Sequence, residues 1–377
     1  MREMKDSGVR WIGKIPTKWT IAKAKNCVEI QNGSDPKTEG SIPVYGSGSM
    51  SFKTCGEYKE GPSVLIGRKG ATLHIPHYIS SKFWNVDTAF NVYSKSIFDL
   101  KYYFYCAHVF DYTLYMSQTT LPSMTQTAYE NMFLPLPTKE EQYAIANQLD
   151  QICSKIDAVL EKTRASIEEY KKLKQAVITQ VVTKGVRGDR PMKDSGSVWF
   201  EEIPCNWVMK RIKYLFHIKK DIAGKEGYTV LSITQRGIQP KDLSKNEGQI
   251  AANYSQYQLL APGDFAMNHM DLLTGWVDIS KYSGVTSPDY RVFVLDAEKN
   301  DSSYYLYLMQ MCYFNRIFYG LGQGVSGMGR WRLQADNFLN FPVVVPPVDE
   351  QKEIVSYLNE KCKQLDTLIR NKQQYLT

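Results

Sequence analysis

The stretch PTKEEQYAIANQLDQICSKIDAVLEKTRASIEEYKKLKQAVITQVVT, Pro137–Thr183, reads as one long amphipathic helix. Ile145, Leu149, Ile152, Ile156, Val159, Thr163, Ile167, Tyr170, Leu173 and Val177 follow one another in steps of three and four, the narrow seam of a coiled coil rather than the wider stripe of a globular helix. Its start is written locally. Thr138 can cap the first turn while Glu141, three residues on, reaches back to the cap amide. At 1.5 Å per residue the helix is a rod of roughly 69 Å, too long to bury its seam inside one globular domain. It requires a partner helix.

That partner lies in an internal repeat. Met4-Lys5-Asp6-Ser7-Gly8, Trp11, Ile15-Pro16 and Trp19 return as Met192-Lys193-Asp194-Ser195-Gly196, Trp199, Ile203-Pro204 and Trp207, each offset by 188. Pro137, Glu141-Gln142, Ile145, Leu149, Cys153 and Asp157 return as Pro346, Glu350-Gln351, Ile354, Leu358, Cys362 and Asp366, each offset by 209. The second copy has thus gained 21 residues between the two landmarks, and what is constant flanks what varies. Residues 1–136 form a first lead-in and variable domain, 137–185 the long helix, 186–345 a second lead-in and variable domain, and 346–377 a second helix. Helix pairing is expected through Ile145, Leu149, Ile152 and Ile156 on one side and Ile354, Leu358, Leu365 and Leu368 on the other, with Lys361 standing where the first copy has Ile152. The second helix ends sooner than its copy, which is expected to leave the end of the first around Lys174–Val182 without an intrachain partner.

Within each variable domain, short β-rich runs sit between Gly and Pro punctuation: Ser63-Val64-Leu65-Ile66 before Gly67, and Arg291-Val292-Phe293-Val294-Leu295 after Pro288-Asp289. One aromatic-rich helix per domain is predicted, around Asp99–Met116 and Ser302–Tyr319. Each domain is therefore α+β, with its aromatic stripes in the core.

Composition excludes more than it selects. A chain of 377 residues with 43% hydrophobic and 12% aromatic content builds about two or three ordinary globular domains. A formal charge of +7 fits a nucleic-acid binder with local basic patches, and many enzymes equally well. Seven cysteines without a Cys-x-x-Cys pair argue against a disulfide framework or zinc module and for thiols in a reducing cytoplasm. The N-terminus lacks the apolar segment of a signal peptide, and no run of about 18 apolar residues could span a membrane.

Motifs of catalysis are missing. The Pro-Pro of a methyltransferase tetrad occurs only between Val345 and Val348, and Gly13-Lys14 and Gly224-Lys225 are followed by Ile15 and Glu226 rather than Ser or Thr. Pro288-Asp289 has no following acidic-x-Lys partner, and His74 and His77 lack further ligands. No catalytic and no metal-binding residues are assigned.

Binding chemistry remains. Gly67-Arg68-Lys69-Gly70 holds two basic residues between glycines after an apolar strand, so the backbone can approach a phosphate while Arg68 reaches a guanine edge. The equivalent place in the second copy carries Asn268 and His269, and Asn suits a bidentate adenine contact. A glycine-rich run from Gly320 to Arg332 offers Gln323, Arg330 and Arg332, and its counterpart Gln118–Gln126 offers Gln118, Thr119, Ser123 and Thr125. The basic run Lys171-Lys172-Leu173-Lys174 reads as a solvated helix face.

Two variable domains, each followed by a Pro-x-x-x-Glu-Gln-x-x-Ile helix and preceded by a Met-Lys-Asp-Ser-Gly…Trp…Ile-Pro…Trp lead-in, resemble the DNA-specificity subunit of a type I restriction-modification enzyme. The resemblance covers essentially the whole chain. It implies two globular α/β target-recognition domains separated by a pair of long antiparallel coiled-coil helices with pseudo-two-fold symmetry. It also implies that each domain reads one half of a split double-stranded DNA target, and that the chain itself is non-catalytic. It would dock two modification (adenine methyltransferase) subunits and the restriction (endonuclease and translocase) subunits, which would carry S-adenosylmethionine, ATP and magnesium. An adaptor that uses its coiled coil for assembly and binds no DNA is the alternative.

Overall fold

A computed structural model describes residues 2–95, 98–117, 122–242, 253–296, 300–324 and 331–376. The chain divides into two compact units, Met1–Val159 and Leu160–Thr377.

In the first unit, an antiparallel sheet runs in the order Val28–Asn32, Ala89–Ser94, Ser63–Gly67, His77–Ile79. All of Ser63–Gly67 is buried, as its unbroken apolar run requires. Its alternate residues serve two cores: Val64 and Ile66 join Phe90, Val92 and the aromatic helix Leu100–His108, while Leu65 joins Ile79 and Phe83. That helix is shorter than the predicted Asp99–Met116. It is capped by the Asp99 side chain and ends at His108, after which Asp111 caps a separate 3-10 turn, Tyr112–Leu114.

The second unit repeats the sheet as Phe216–Lys219, Arg291–Leu295, Phe265–Met267, Val277–Ile279. Phe216, on its outer strand, lies in the core, edge-on to Phe265 at 5.3 Å, Phe293 at 5.4 Å and Tyr305 at 5.6 Å. The aromatic helix here is Ser302–Phe314, and left-handed Arg316 (φ 58°) separates it from a short turn of helix at Ile317–Gly320.

Registers locate the added residues. Val92 opposes Ile30 as Phe293 opposes Ile218, an offset of 188 on the outer strand. Phe90 opposes Ile66 as Arg291 opposes Met267, an offset of 201. The Met124 and Leu333 amides donate to the Arg68 and His269 carbonyls, an offset of 209 for the donors. The second copy has therefore gained 13 residues between the first and second sheet strands in sequence and 8 more before Leu333.

The first long helix is Lys139–Lys184 and the second Val348–Gln374. The expected capping box forms at the first: the Glu141 amide donates to Thr138 Oγ1 at 3.3 Å and the Thr138 amide to Glu141 Oε2 at 3.4 Å. Each helix also clamps its own aromatic helix. Buried Gln142 accepts from the Asp99 amide at 2.7 Å and donates to the Pro137 carbonyl at 3.0 Å, and buried Gln351 repeats both bonds to Asp301 at 2.7 Å and Pro346 at 2.9 Å.

Within the second unit the helices pair antiparallel. Lys372 lies over the Tyr170 ring at 5.8 Å, Lys174 pairs with Asp366 at 2.7 Å, and Arg187 pairs with Glu353 at 2.6 Å. This direction corrects two expectations. The start of the second helix lies against the end of the first, so Lys174–Val182 is covered: Ile178, Val181 and Val182 share a core with Ile354 and Leu358, and Tyr304 donates to the Val182 carbonyl at 2.9 Å. The exposed stretch is instead Gln151–Val159. The seam set divides accordingly. Ile354, Leu358 and Leu365 are buried, Ile145 packs on the first unit's core, and Leu149 is half-buried, but Ile152, Ile156 and Leu368 are 44%, 52% and 43% exposed.

Candidate nucleic-acid interface

In the first unit, Gly67 ends the central strand where a Cβ would strike the Leu73 backbone, and Gly70 turns at φ +111°. Only glycine fits both requirements. Between them, Arg68 is half-buried with its guanidinium 5.8 Å over the Phe90 ring, and Lys69 faces Asp87 at 3.9 Å. The same loop is bridged to the second candidate loop. The Gly70 amide donates to the Pro122 carbonyl at 3.0 Å, the Met124 amide to the Arg68 carbonyl at 2.9 Å, and Lys69 stands opposite Ser123. Arg68, Lys69, Ser123 and Thr125 thus belong to one surface.

Two of these side chains are already engaged. The Ser123 hydroxyl lies 2.7 Å from that of Ser117, and the Thr125 hydroxyl accepts from the Ala128 amide at 3.1 Å, capping the helix Gln126–Asn131. Gln118 and Thr119 lie outside the described residues.

The second unit builds the same junction. The Leu333 amide donates to the His269 carbonyl at 2.9 Å, Asp271 stands beside Trp331, and Gln323 and Arg332 exchange backbone bonds at 2.9 Å. Asn268, His269, Gln323 and Arg332 therefore share one surface, with Gln323 and Arg332 exposed. Arg330 lies outside the described residues. The Asn268 side-chain oxygen accepts from the Met270 and Asp271 amides at 3.2 Å, so its carbonyl end is committed to the loop.

By register His269 is the counterpart of Arg68, and Arg291 that of Phe90. Burial, and then the Arg291 and Arg332 guanidinium groups, push the His269 imidazole down to about 4, so it is neutral at neutral pH. Arg291 is 6% exposed and donates to the Leu333 carbonyl at 2.8 Å.

A third loop joins each cluster and is absent from the sequence-based candidates. In the first unit, Thr72 donates to the Ser47 carbonyl at 3.1 Å, bringing in the Gly46–Ser49 turn. In the second, Gln235 donates to the Thr274 carbonyl at 3.3 Å, bringing in the hairpin turn between Leu231–Thr234 and Gly237–Pro240 with exposed Arg236. Gly-Ser-Gly-Ser and Gln-Arg-Gly were visible turn signals, but nothing local ties them to loops some 25–40 residues away.

The family model described as the type I restriction modification DNA specificity domain matches residues 16–169 and again 204–377, starting both times at the proline of the repeated Ile-Pro. The chain belongs to this family. It is 26% identical over 271 residues, covering 68% of this chain and 60% of that protein, to the type I restriction enzyme MjaVIII specificity subunit of Methanocaldococcus jannaschii. The chain thus matches about 60% of the length of that relative. Two solved structures share the fold at 13% identity. One, from work on complex assembly and conformational transition of the type I R-M system, superposes with a TM-score of 0.68 over 96% of this chain and 94% of that one. The HsdS subunit from Thermoanaerobacter tengcongensis superposes with 0.53 over 96% of each. Among the described residues of this specificity-family chain, no cluster of His, Cys, Asp and Glu could hold a metal, and no helix is long and apolar enough to cross a membrane.

Proposed function

We propose that this chain is the non-catalytic DNA-specificity subunit of a type I restriction-modification complex and reads a bipartite duplex target, one half-site per variable domain. One observation carries the reading: the same three-loop junction is built at the same sheet edge in both units, with different side chains on it. Arg68 stands on Phe90 in the first, and His269 stands beside Arg291 in the second. A shared scaffold with exchanged donors is what two half-sites of different sequence require, because base edges are distinguished by their donor and acceptor patterns.

The repeated lead-in and helix starts would dock two modification subunits in matching environments, with restriction subunits joining that core. S-adenosylmethionine, ATP and magnesium belong on those partners. The test is to co-express the chain with its cognate modification subunit and map methylated adenines across a genome. Two fixed half-sites separated by an unspecified gap are expected, and a contiguous target would overturn the two-domain reading.

A further inference from the structure

The second unit contains a cavity of about 380 Å³ lined by Lys220, Gln258, His269, Tyr290, Arg291 and Gln334 among apolar side chains. Arg291 enters it as a buried cation. Of its five donors, one meets the Leu333 carbonyl at 2.8 Å and another only the Met267 sulfur at 3.9 Å, while its cationic face lies 4.9 Å from the Phe338 ring. Among the described residues no carboxylate lies within ion-pairing distance of it. His269 adds a buried Nδ1 without a hydrogen-bond partner. Gln258, whose amide nitrogen donates to the Ser287 and Tyr290 carbonyls at 3.2 and 2.8 Å, is neutral and brings no counter-charge.

A buried guanidinium without a counter-charge is costly, and so is an orphaned imidazole nitrogen. The first cost falls when an anion enters the same cavity, and the second falls with it in the tautomer that carries the proton on Nδ1. Phosphate matches the planar fork of Arg, and apolar walls strengthen the attraction by excluding water. Lys220 lines the cavity too, and Arg332 is close enough to act on His269, so the local field is positive from several sides.

We propose that the cavity between His269 and Arg291 is a binding site for a phosphate-type oxyanion, supplied by the DNA backbone next to the second half-site or by free phosphate. The backbone source rests on the DNA reading above, whereas the anion chemistry does not. In the first unit Phe90 takes the place of Arg291 and the cation stands on the loop as Arg68, so the two domains would anchor a duplex differently.

The test follows the five histidine rings of the full chain by NMR, with His269 assigned through His269→Asn, while inorganic phosphate is added against chloride of matched ionic strength. A saturable, phosphate-specific shift of His269 is expected. Gln334→Glu, which places a carboxylate at the cavity wall, should weaken it at least tenfold, and Arg291→Met should abolish it. Arg291→Lys should retain a weakened response if the methionine variant fails to fold. No phosphate-specific shift, or one that Gln334→Glu and Arg291→Lys leave unchanged, overturns the site.

A second arm uses the mapped target duplex with a neutral methylphosphonate at one phosphate at a time. One position should lose affinity in the wild type and lose clearly less in Arg291→Lys. If free phosphate shifts His269 but no duplex position couples to Arg291, the backbone source is overturned and the free anion stands. If duplex binds specifically while phosphate leaves His269 unmoved, the cavity proposal falls and the DNA reading survives. If phosphate binds and no duplex does, the reverse holds.

Discussion

Trp207 donates its indole N–H to the buried carboxylate of Glu350 at 2.8 Å, tying the second lead-in to the first turn of the second long helix. Trp19 makes the same bond to Glu141 at 3.0 Å. Arginine repeats as well: Arg190 meets Glu350 at 2.6 Å and Arg2 meets Glu141 at 2.9 Å. The two copies differ in burial, the glutamate side chain being 5% exposed in the second and 31% in the first. Removing one partner of a buried, hydrogen-bonded charge pair costs about 3–5 kcal/mol, whereas a half-exposed one loses about 1 kcal/mol. Glu350→Ala is therefore expected to destabilise the chain several-fold more than Glu141→Ala, read as the shift in urea midpoint. Equal shifts would show that burial does not set the strength of the clamp.

The same carboxylate predicts an acid response. Burial alone would raise the Glu350 carboxyl, but the bonds from Arg190, Asn206 and Trp207 outweigh it and hold it below the usual carboxylate range. A lowered folded value means stability that is present above the ordinary value of 4.5 and is lost as pH falls through the lower folded one. His269 adds a second, earlier loss. Its imidazole is held down at about 4 against an ordinary 6.5, so the unfolded chain takes up the proton first and stability declines as pH falls between those values. Urea titrations from pH 7 to 3 should show both phases, and His269→Gln should shrink the earlier one, to which His77 and His108, also held down by burial, contribute the remainder. An unchanged upper phase in that variant would reject the assignment.

The long helix and the repeat were legible because both are periodic signals in the sequence itself. Trp, Glu and Gln recur at fixed offsets because they make the same bonds twice. Arg2 and Arg190 recur at the offset of 188 too, a signal the Met-Lys-Asp-Ser-Gly landmark overshadowed. The antiparallel pairing came with the family resemblance, but which stretch of the first helix the shorter second one covers was not available, because a heptad seam does not fix the register. It took Lys174 opposite Asp366 to show that the short second helix covers the end of the first and leaves Ile152 and Ile156 exposed. The loop clusters were half legible. Arg68 and Ser123 each stood out by chemistry, but their meeting depends on non-local backbone pairing.

At the first cluster, Arg68 and Lys69 make separable predictions. Arg68 is held by the Phe90 ring, so its guanidinium is pre-aimed. Arg68→Ala should relax one base position by about 1–3 kcal/mol, while Lys69→Ala should weaken binding to all duplexes and lower the salt slope by about 1. Binding titrations against single-base variants at several salt concentrations separate the two. Uniform weakening by Arg68→Ala would make it a phosphate contact.

Thr125 tests whether a candidate reader is instead a structural residue. Its hydroxyl already caps the helix Gln126–Asn131, so Thr125→Ala should cost about 1 kcal/mol of stability and leave base preference unchanged. Altered preference with unchanged stability would return it to the reading surface.

The exposed stretch Gln151–Val159 is the natural place to alter a spacer, since the residues packed in each unit's core lie outside it. Seven inserted residues would lengthen the helix by about 10.5 Å and turn it through nearly two full turns, so the faces on either side stay aligned. At about 3.4 Å per base pair, the gap between half-sites should grow by up to about three base pairs while the half-sites stay the same. Methylation mapping of the insertion variant reads both quantities at once. An unchanged gap would mean that the helix does not set the distance, and changed half-sites would mean that base reading is not confined to the two loop clusters.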